Sequence, residues 1–192
     1  MIDPFWTEKL KPLIERDQFI QEALARKGIL EDSYQPELEK IQKENAKKLE
    51  KFIMDKGFPV LSNAGEEGVQ LSWYIIHNAI SYPDFMRECL TQIRLAVAAD
   101  DFPKDLLAYL EDKVAYCENR KQLFGTHFVW SECGLIPSPI EDIDYLDKRR
   151  TSFNLPPMAD ELFKIVHALP PKNPTKTTAD FENWLIKTGW RL

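Results

Sequence analysis

The chain has 192 residues, 44% of them apolar and 29% charged, with a formal net charge of −6. This suits one folded domain with a sizeable core, perhaps carrying an appended tail, and excludes a low-complexity or disulfide-stapled chain. The acidic balance argues against nucleic acid or an anionic membrane surface as the main partner, because both require a basic face.

The first ten residues, Met-Ile-Asp-Pro-Phe-Trp-Thr-Glu-Lys-Leu, are too acidic and interrupted for a secretory signal. No apolar run reaches membrane-spanning length, so no membrane partner and a cytoplasmic location are expected. Residues 5–27 read as an amphipathic helix in which Pro12 makes a kink or opens the main part. Gly28 is the expected stop, and a loop through Tyr34 and Gln35 leads to Pro36. A second helix follows to about Gly57, with Lys and Glu on its outer face.

Pro59 marks the next loop, and Asn63 with Glu66 resembles a helix start. The third helix is expected over about 65–80. Ser81 with Asp84 is the expected cap of a fourth, whose apolar side holds Met86, Cys89, Leu90, Ile93 and Val97. The fifth spans about 104–121, with Leu107, Leu110, Val114 and Cys117 in its stripe.

From 122 to 158 the periodicity stops. The aromatics Phe124, Phe128, Trp130, Tyr145 and Phe153 predict an ordered loop packed on the bundle. Residues 159–168 suit a short helix, 170–178 a linker, and 180–187 a last helix docking through Phe181, Trp184 and Leu185. The expectation is an all-α protein. It has a single helical-bundle domain of five main helices over 1–168, and a linker and C-terminal tail over 169–192.

Polar residues inside apolar stripes nominate a site. Asp17 falls among Leu13, Ile20 and Leu24, and Asn45 among Leu38, Ile41, Leu49 and Phe52. His77 lies on a helix that is apolar almost all round, in a stripe with Glu66, Gln70 and Tyr74. The fifth helix carries Tyr109, Asp112, Tyr116 and Arg120 opposite its apolar stripe, and Gly125-Thr126-His127 follows it. On the functional reading Asp17 and His77 form a proton-transfer pair. Asn45, Glu66, Gln70, Tyr109, Asp112, Gly125 and Thr126 then bind a small polar molecule. The competing account pairs Asp17 with Asn45 or with an arginine such as Arg120, leaving a structural network.

Cys89, Cys117 and Cys133 are odd in number and unpaired in spacing, and the first two read as small core residues. No metal-ligand spacing and no glycine-rich phosphate or dinucleotide loop is present, so no metal or cofactor is expected.

In order and spacing the chain resembles the mostly bacterial domain-of-unknown-function family 6624. The matching pieces begin with Arg16-Asp17-Gln18, the Asn45 region, Gly65-Glu66-Glu67-Gly68 and His77-Asn78-Ala79-Ile80. Ala108-Tyr109-Leu110-Glu111-Asp112, Gly125-Thr126, Pro139-Ile140-Glu141-Asp142, Arg149-Arg150 and Leu155-Pro156-Pro157 follow. The resemblance spans about 10–160 and implies that Asp17, Asn45, Glu66, His77, Asp112 and Thr126 belong to the family pattern. It implies no activity. His127 departs from that pattern, where Gln is more usual, which weighs against a catalytic role for it.

Two function classes follow. One is a metal-independent hydrolase or lyase acting on a small polar molecule. The other is a non-catalytic binding or immunity-type protein whose negative surface steers a basic partner. Phe181, Trp184 and Trp190 add a third expectation, self-association through the tail.

Overall fold

Trp6, Leu10, Ile14, Asp17 and Leu24 recur at helical spacing and are all buried, which fixes the inner face of the first helix. A computed structural model describes residues 2–27, 35–165, 168 and 173–191 of the chain. Gly28 and Tyr34, expected at a helix stop and a loop, lie outside the described residues, as do 169–172 of the expected linker. The described residues separate into two compact units, one ending at Pro103 and the other beginning at Lys104.

The first unit holds α1 (Phe5–Arg26), α2 (Pro36–Lys56), α3 (Leu61–Asn78) and α4 (Pro83–Ala98). Helix α3 is central: α1, α2 and α4 all pack on it, and α1 also packs on α2. Its small residues make this possible. A Cβ on Gly68 would lie 3.0 Å from the Cβ of Trp6, so α1 and α3 approach at van der Waals limit there.

Three local expectations need correction. Pro12 lies inside a continuous α1 rather than starting it. Helix α3 begins at Leu61 and bends at Gly65, whose φ of 68° interrupts the helical run. Asn63 therefore sits in the first turn, where its Oδ1 accepts from Val60 N–H and its amide donates to Phe58 C=O. Ser81 does not cap α4. Pro83 occupies the first turn after Tyr82, and the buried Ser81 hydroxyl has no hydrogen-bond partner among the described residues.

The second unit holds α5 (Lys104–Cys117), β1 (Phe128–Ser131), β2 (Gly134–Pro137), α6 (Leu146–Ser152), α7 (Met158–Ile165) and α8 (Pro174–Thr188). A 3-10 turn at Ile143–Tyr145 precedes α6. Thus the described residues form eight α-helices and one small sheet, and the class is all-α. The expected loop is partly regular. β1 and β2 pair antiparallel with Ser131 opposite Gly134, joined by Glu132 and Cys133. The Ser131 hydroxyl closes the turn, donating to Gly134 C=O and accepting from Cys133 N–H.

The tail belongs to this unit. Asn173 caps α8 by accepting from Lys176 N–H, and Pro174 fills the first turn, so the helix starts inside the expected linker. Helix α8 packs along β1, and Leu185 is fully buried. Trp190 is also buried, and Phe181 stacks on Tyr116. Of the aromatics behind the expected self-association, Trp190 is thus covered by its own unit, while Phe181 and Trp184 are partly buried. No helix among the described residues is long and apolar enough to cross a membrane.

Candidate functional site

The nominated residues divide between the units. Asp17, Asn45, Glu66, Gln70 and His77 lie in the first, and Tyr109, Asp112, Gly125 and Thr126 in the second.

In the first unit Asp17 is 2% exposed. Its Oδ1 accepts from Gln21 Nε2 at 3.1 Å, one helical turn on, and from Gln42 Nε2 of α2 at 3.5 Å. Gln21 also donates to the Tyr74 hydroxyl of α3 at 2.8 Å. Burial raises the Asp17 pKa, while bonds from Gln21, Gln42 and Tyr74 pull the other way. Burial likewise raises the Tyr74 phenol, with the Asp17 charge adding to it. Asn45 does not pair with Asp17. Its amide donates to Leu13 C=O at 3.1 Å, one turn before Asp17 on α1. One polar cluster thus ties α1 to α2 and α3.

His77 lies one turn beyond Tyr74 and stacks on Trp73, with ring centroids 4.6 Å apart. Glu66 and Gln70 are exposed on α3. Of the nominated residues only Asp17 belongs to this cluster, whose other members are Gln21, Gln42 and Tyr74. Gln21 and Gln42 escaped the sequence reading, although Gln21 stands four residues from Asp17 and so shares its helix face.

In the second unit Asp112 is fully buried and organises the segment after α5. Its carboxylate accepts from Leu123 N–H at 2.7 Å, Phe124 N–H at 3.0 Å and Thr126 N–H at 2.9 Å. The Thr126 hydroxyl adds a bond at 2.9 Å. Burial raises the Asp112 pKa, opposed by these donors. Arg120, offered by the sequence as a partner for Asp17, pairs with Glu118, at 2.7 Å.

Two arginines take up the carbonyls of the same segment. Arg149 donates to Leu123, Asp142 and Glu141 C=O. The fully buried Arg150 donates to Phe124 C=O at 2.5 Å and Pro156 C=O at 2.6 Å, and stands 3.8 Å from Glu161. Buried Gln122 completes the lattice, donating to His127 and Ser138 C=O and accepting from His127 N–H. An aperiodic stretch is ordered here because its peptide groups find side-chain partners. Gln122 carried no sequence signal. Arg149-Arg150 was visible only as an arginine pair.

Gly125, with φ of 68°, is likewise structural in its surroundings. An added Cβ would meet Met158 Sδ at 3.0 Å and Ile140 Cδ1 at 3.2 Å. Tyr109 is half-buried beside Phe124 and Leu155, and burial raises its phenol. His127 packs on Tyr116 with centroids 4.0 Å apart. Burial, then the Lys113 charge, lowers its pKa to about 3. Burial lowers Lys113 to about 8. A histidine held neutral in this way lacks the near-neutral pKa that suits acid–base work.

A cavity of about 460 Å³ opens in the first unit between α2 and α4. Ile53, Met54, Phe58, Phe85 and Cys89 supply apolar wall, and Glu50, Glu88 and Gln92 also line it. Tyr82 fixes Glu50, its hydroxyl donating to the carboxylate at 3.0 Å. Neither Asp17 nor His77 lines this cavity. Among the described residues no group of three or more His, Cys, Asp or Glu side chains is placed to hold a metal ion.

No family model matches the chain, and neither does any curated protein or solved structure.

Proposed function

We propose that this is a binding protein without chemistry of its own, with a preference for basic ligands. One observation carries the reading: Asp17, the carboxylate nominated as a proton carrier, and Asp112, nominated to bind the ligand, are already engaged by their own units. Asp17 accepts from two glutamine amides, and Asp112 accepts from three backbone N–H groups and a hydroxyl. A proton carrier needs a free site for the substrate. The net charge of −6 supports a basic ligand, since it attracts cations during encounter. The proposed likeness to family 6624 rests on Asp17, Asn45, Glu66, His77, Asp112 and Thr126.

A second reading has its own support. Burial raises Asp17, and Tyr74 lies beside it one turn from His77, as an acid–base pair on a small polar molecule would require. Among the described residues Cys89, Cys117 and Cys133 form no disulfide, which suits a cytoplasmic location.

Unfolding stability of Asp17→Leu and Asn45→Leu beside the parent separates the readings. A structural network predicts a loss of about 2 kcal/mol or more for Asp17→Leu, because Gln42 and Tyr74 lose a buried partner. Stabilisation would overturn the binding reading and return Asp17 to catalysis, since functional polar groups are held at a cost to the fold.

A further inference from the structure

We infer that the α2–α4 cavity is a binding site for a small organic monocation with an apolar body, of the arylalkylammonium kind. This names the site and ligand class of the binding reading and so rests on it.

Four features converge. The volume of about 460 Å³ falls within the range of small-molecule sites. The wall is apolar: Phe58 and Phe85 offer aromatic surface, and Ile53 and Cys89 offer aliphatic and thiol surface. Cys89 is 3% exposed, and burial pushes its thiol pKa far up, so at neutral pH it acts as neutral wall and not as an anion.

The charge at the edge has one sign. Glu50 and Glu88 line the cavity and no lysine, arginine or histidine does. Glu50 is pre-positioned by the Tyr82 hydroxyl, whose own pKa that bond raises. Glu88 is an exposed residue of the lining. Helix α2 ends here, with Gly57 at its C-cap and in the cavity lining. The carbonyl end of a helix carries partial negative charge, which adds to the two carboxylates. An apolar pocket closed by negative groups selects an apolar body with one positive head. A neutral body lacks the charge contact, and an anion is repelled.

The experiment is a titration of the full chain with 2-phenylethylammonium, followed through the methyl signals of Ile53 and Met54. Parallel titrations use 2-phenylethanol and 3-phenylpropionate, which keep the ring and change the charge. Saturable shifts at Ile53 and Met54 are expected with the ammonium, at least several-fold weaker binding with the alcohol and none with the carboxylate. Glu88→Gln, on an exposed position, is expected to weaken the ammonium about fivefold and leave the alcohol unchanged. Glu50→Gln serves as the second variant with the same expected direction.

Equal affinity for ammonium and alcohol would overturn the inference, as would shifts that never saturate or that fall away from the cavity. Such a failure is distinguishable from failure of the binding reading, because that reading stands or falls on the Asp17→Leu stability.

Discussion

Asp112 and Arg150 hold one residue from its two ends: Phe124 donates its N–H to Asp112 at 3.0 Å and receives Arg150 Nη1 on its C=O at 2.5 Å. Leu123 is held likewise, between Asp112 and Arg149. A carboxylate on α5 and two guanidinium groups on α6 therefore replace the partners that a helix or sheet would have given these residues.

Asp112→Ala should cost about 3–5 kcal/mol, since it strands three backbone N–H groups in a buried place. Asp112→Asn keeps one acceptor oxygen and should cost less. Urea unfolding of the full chain measures both, and faster amide exchange at Leu123, Phe124 and Thr126 localises the effect. A change below about 0.5 kcal/mol for the alanine variant would contradict the clamp.

Arg150→Met should cost about 3 kcal/mol by freeing the Phe124 and Pro156 carbonyls, while Glu161 keeps Lys164 as its partner at 2.9 Å. Arg150→Lys should fail to rescue it, because one ammonium cannot span both carbonyls as the planar fork does. Combining Arg150→Met with Asp112→Ala should give less than the sum, as the two act on one residue, Phe124. Strict additivity in a double-mutant cycle is the contrary result.

Acid should act in opposite senses on two groups. His127 has a folded pKa of about 3 against an ordinary 6.5, so the unfolded chain binds the extra proton between those values. Its contribution is intact above pH 6.5 and falls as pH drops toward 3. Asp17 is raised above 3.8, so its contribution is full below that value and is lost as pH rises through the folded pKa. His127→Gln should flatten the acid decline of the unfolding midpoint, whereas Asp17→Asn should steepen it. Superimposable pH profiles for parent and His127→Gln would show that the ring is not held neutral.

Gly125 and Gly57 both have positive φ, yet only Gly125 is crowded. Gly57→Ala should cost about 1 kcal/mol from backbone strain alone. Gly125→Ala should cost more, about 2–3 kcal/mol, because its Cβ also meets Met158 and Ile140. Adding Met158→Ala to Gly125→Ala should recover the steric part of the coupling and leave the strain. Equal losses at the two glycines would mean that Met158 gives way freely.

Helices α1, α2 and α4 could be read from their stripes because each buries one face at helical spacing. The burial of Asp17 and Asn45 was legible in the same way, since a position in a stripe fixes a direction. What they bond was not legible: Gln42 and Leu13 come from elements whose relative rotation no local pattern encodes. The segment after α5 escaped for a related reason. Its order comes from Asp112, Arg149 and Arg150, separated in the chain and bonded to backbone atoms that every residue has. Glu50 and Glu88 looked like ordinary solvated helix charges, and only the cleft between α2 and α4 gives them a common object.

Arg191 reaches back to the end of α5, donating to Cys117 and Tyr116 C=O, 74 and 75 residues earlier. Together with buried Leu185 and Trp190, it places part of the second unit's closure in its last residues. During synthesis the helices through Ala98 are complete long before those residues are made. The chain should therefore mature on the ribosome in two stages. An early helical unit forms first, and a later one stays open until Leu185, Trp190 and Arg191 have been made, exposing Tyr116 and its neighbours in between.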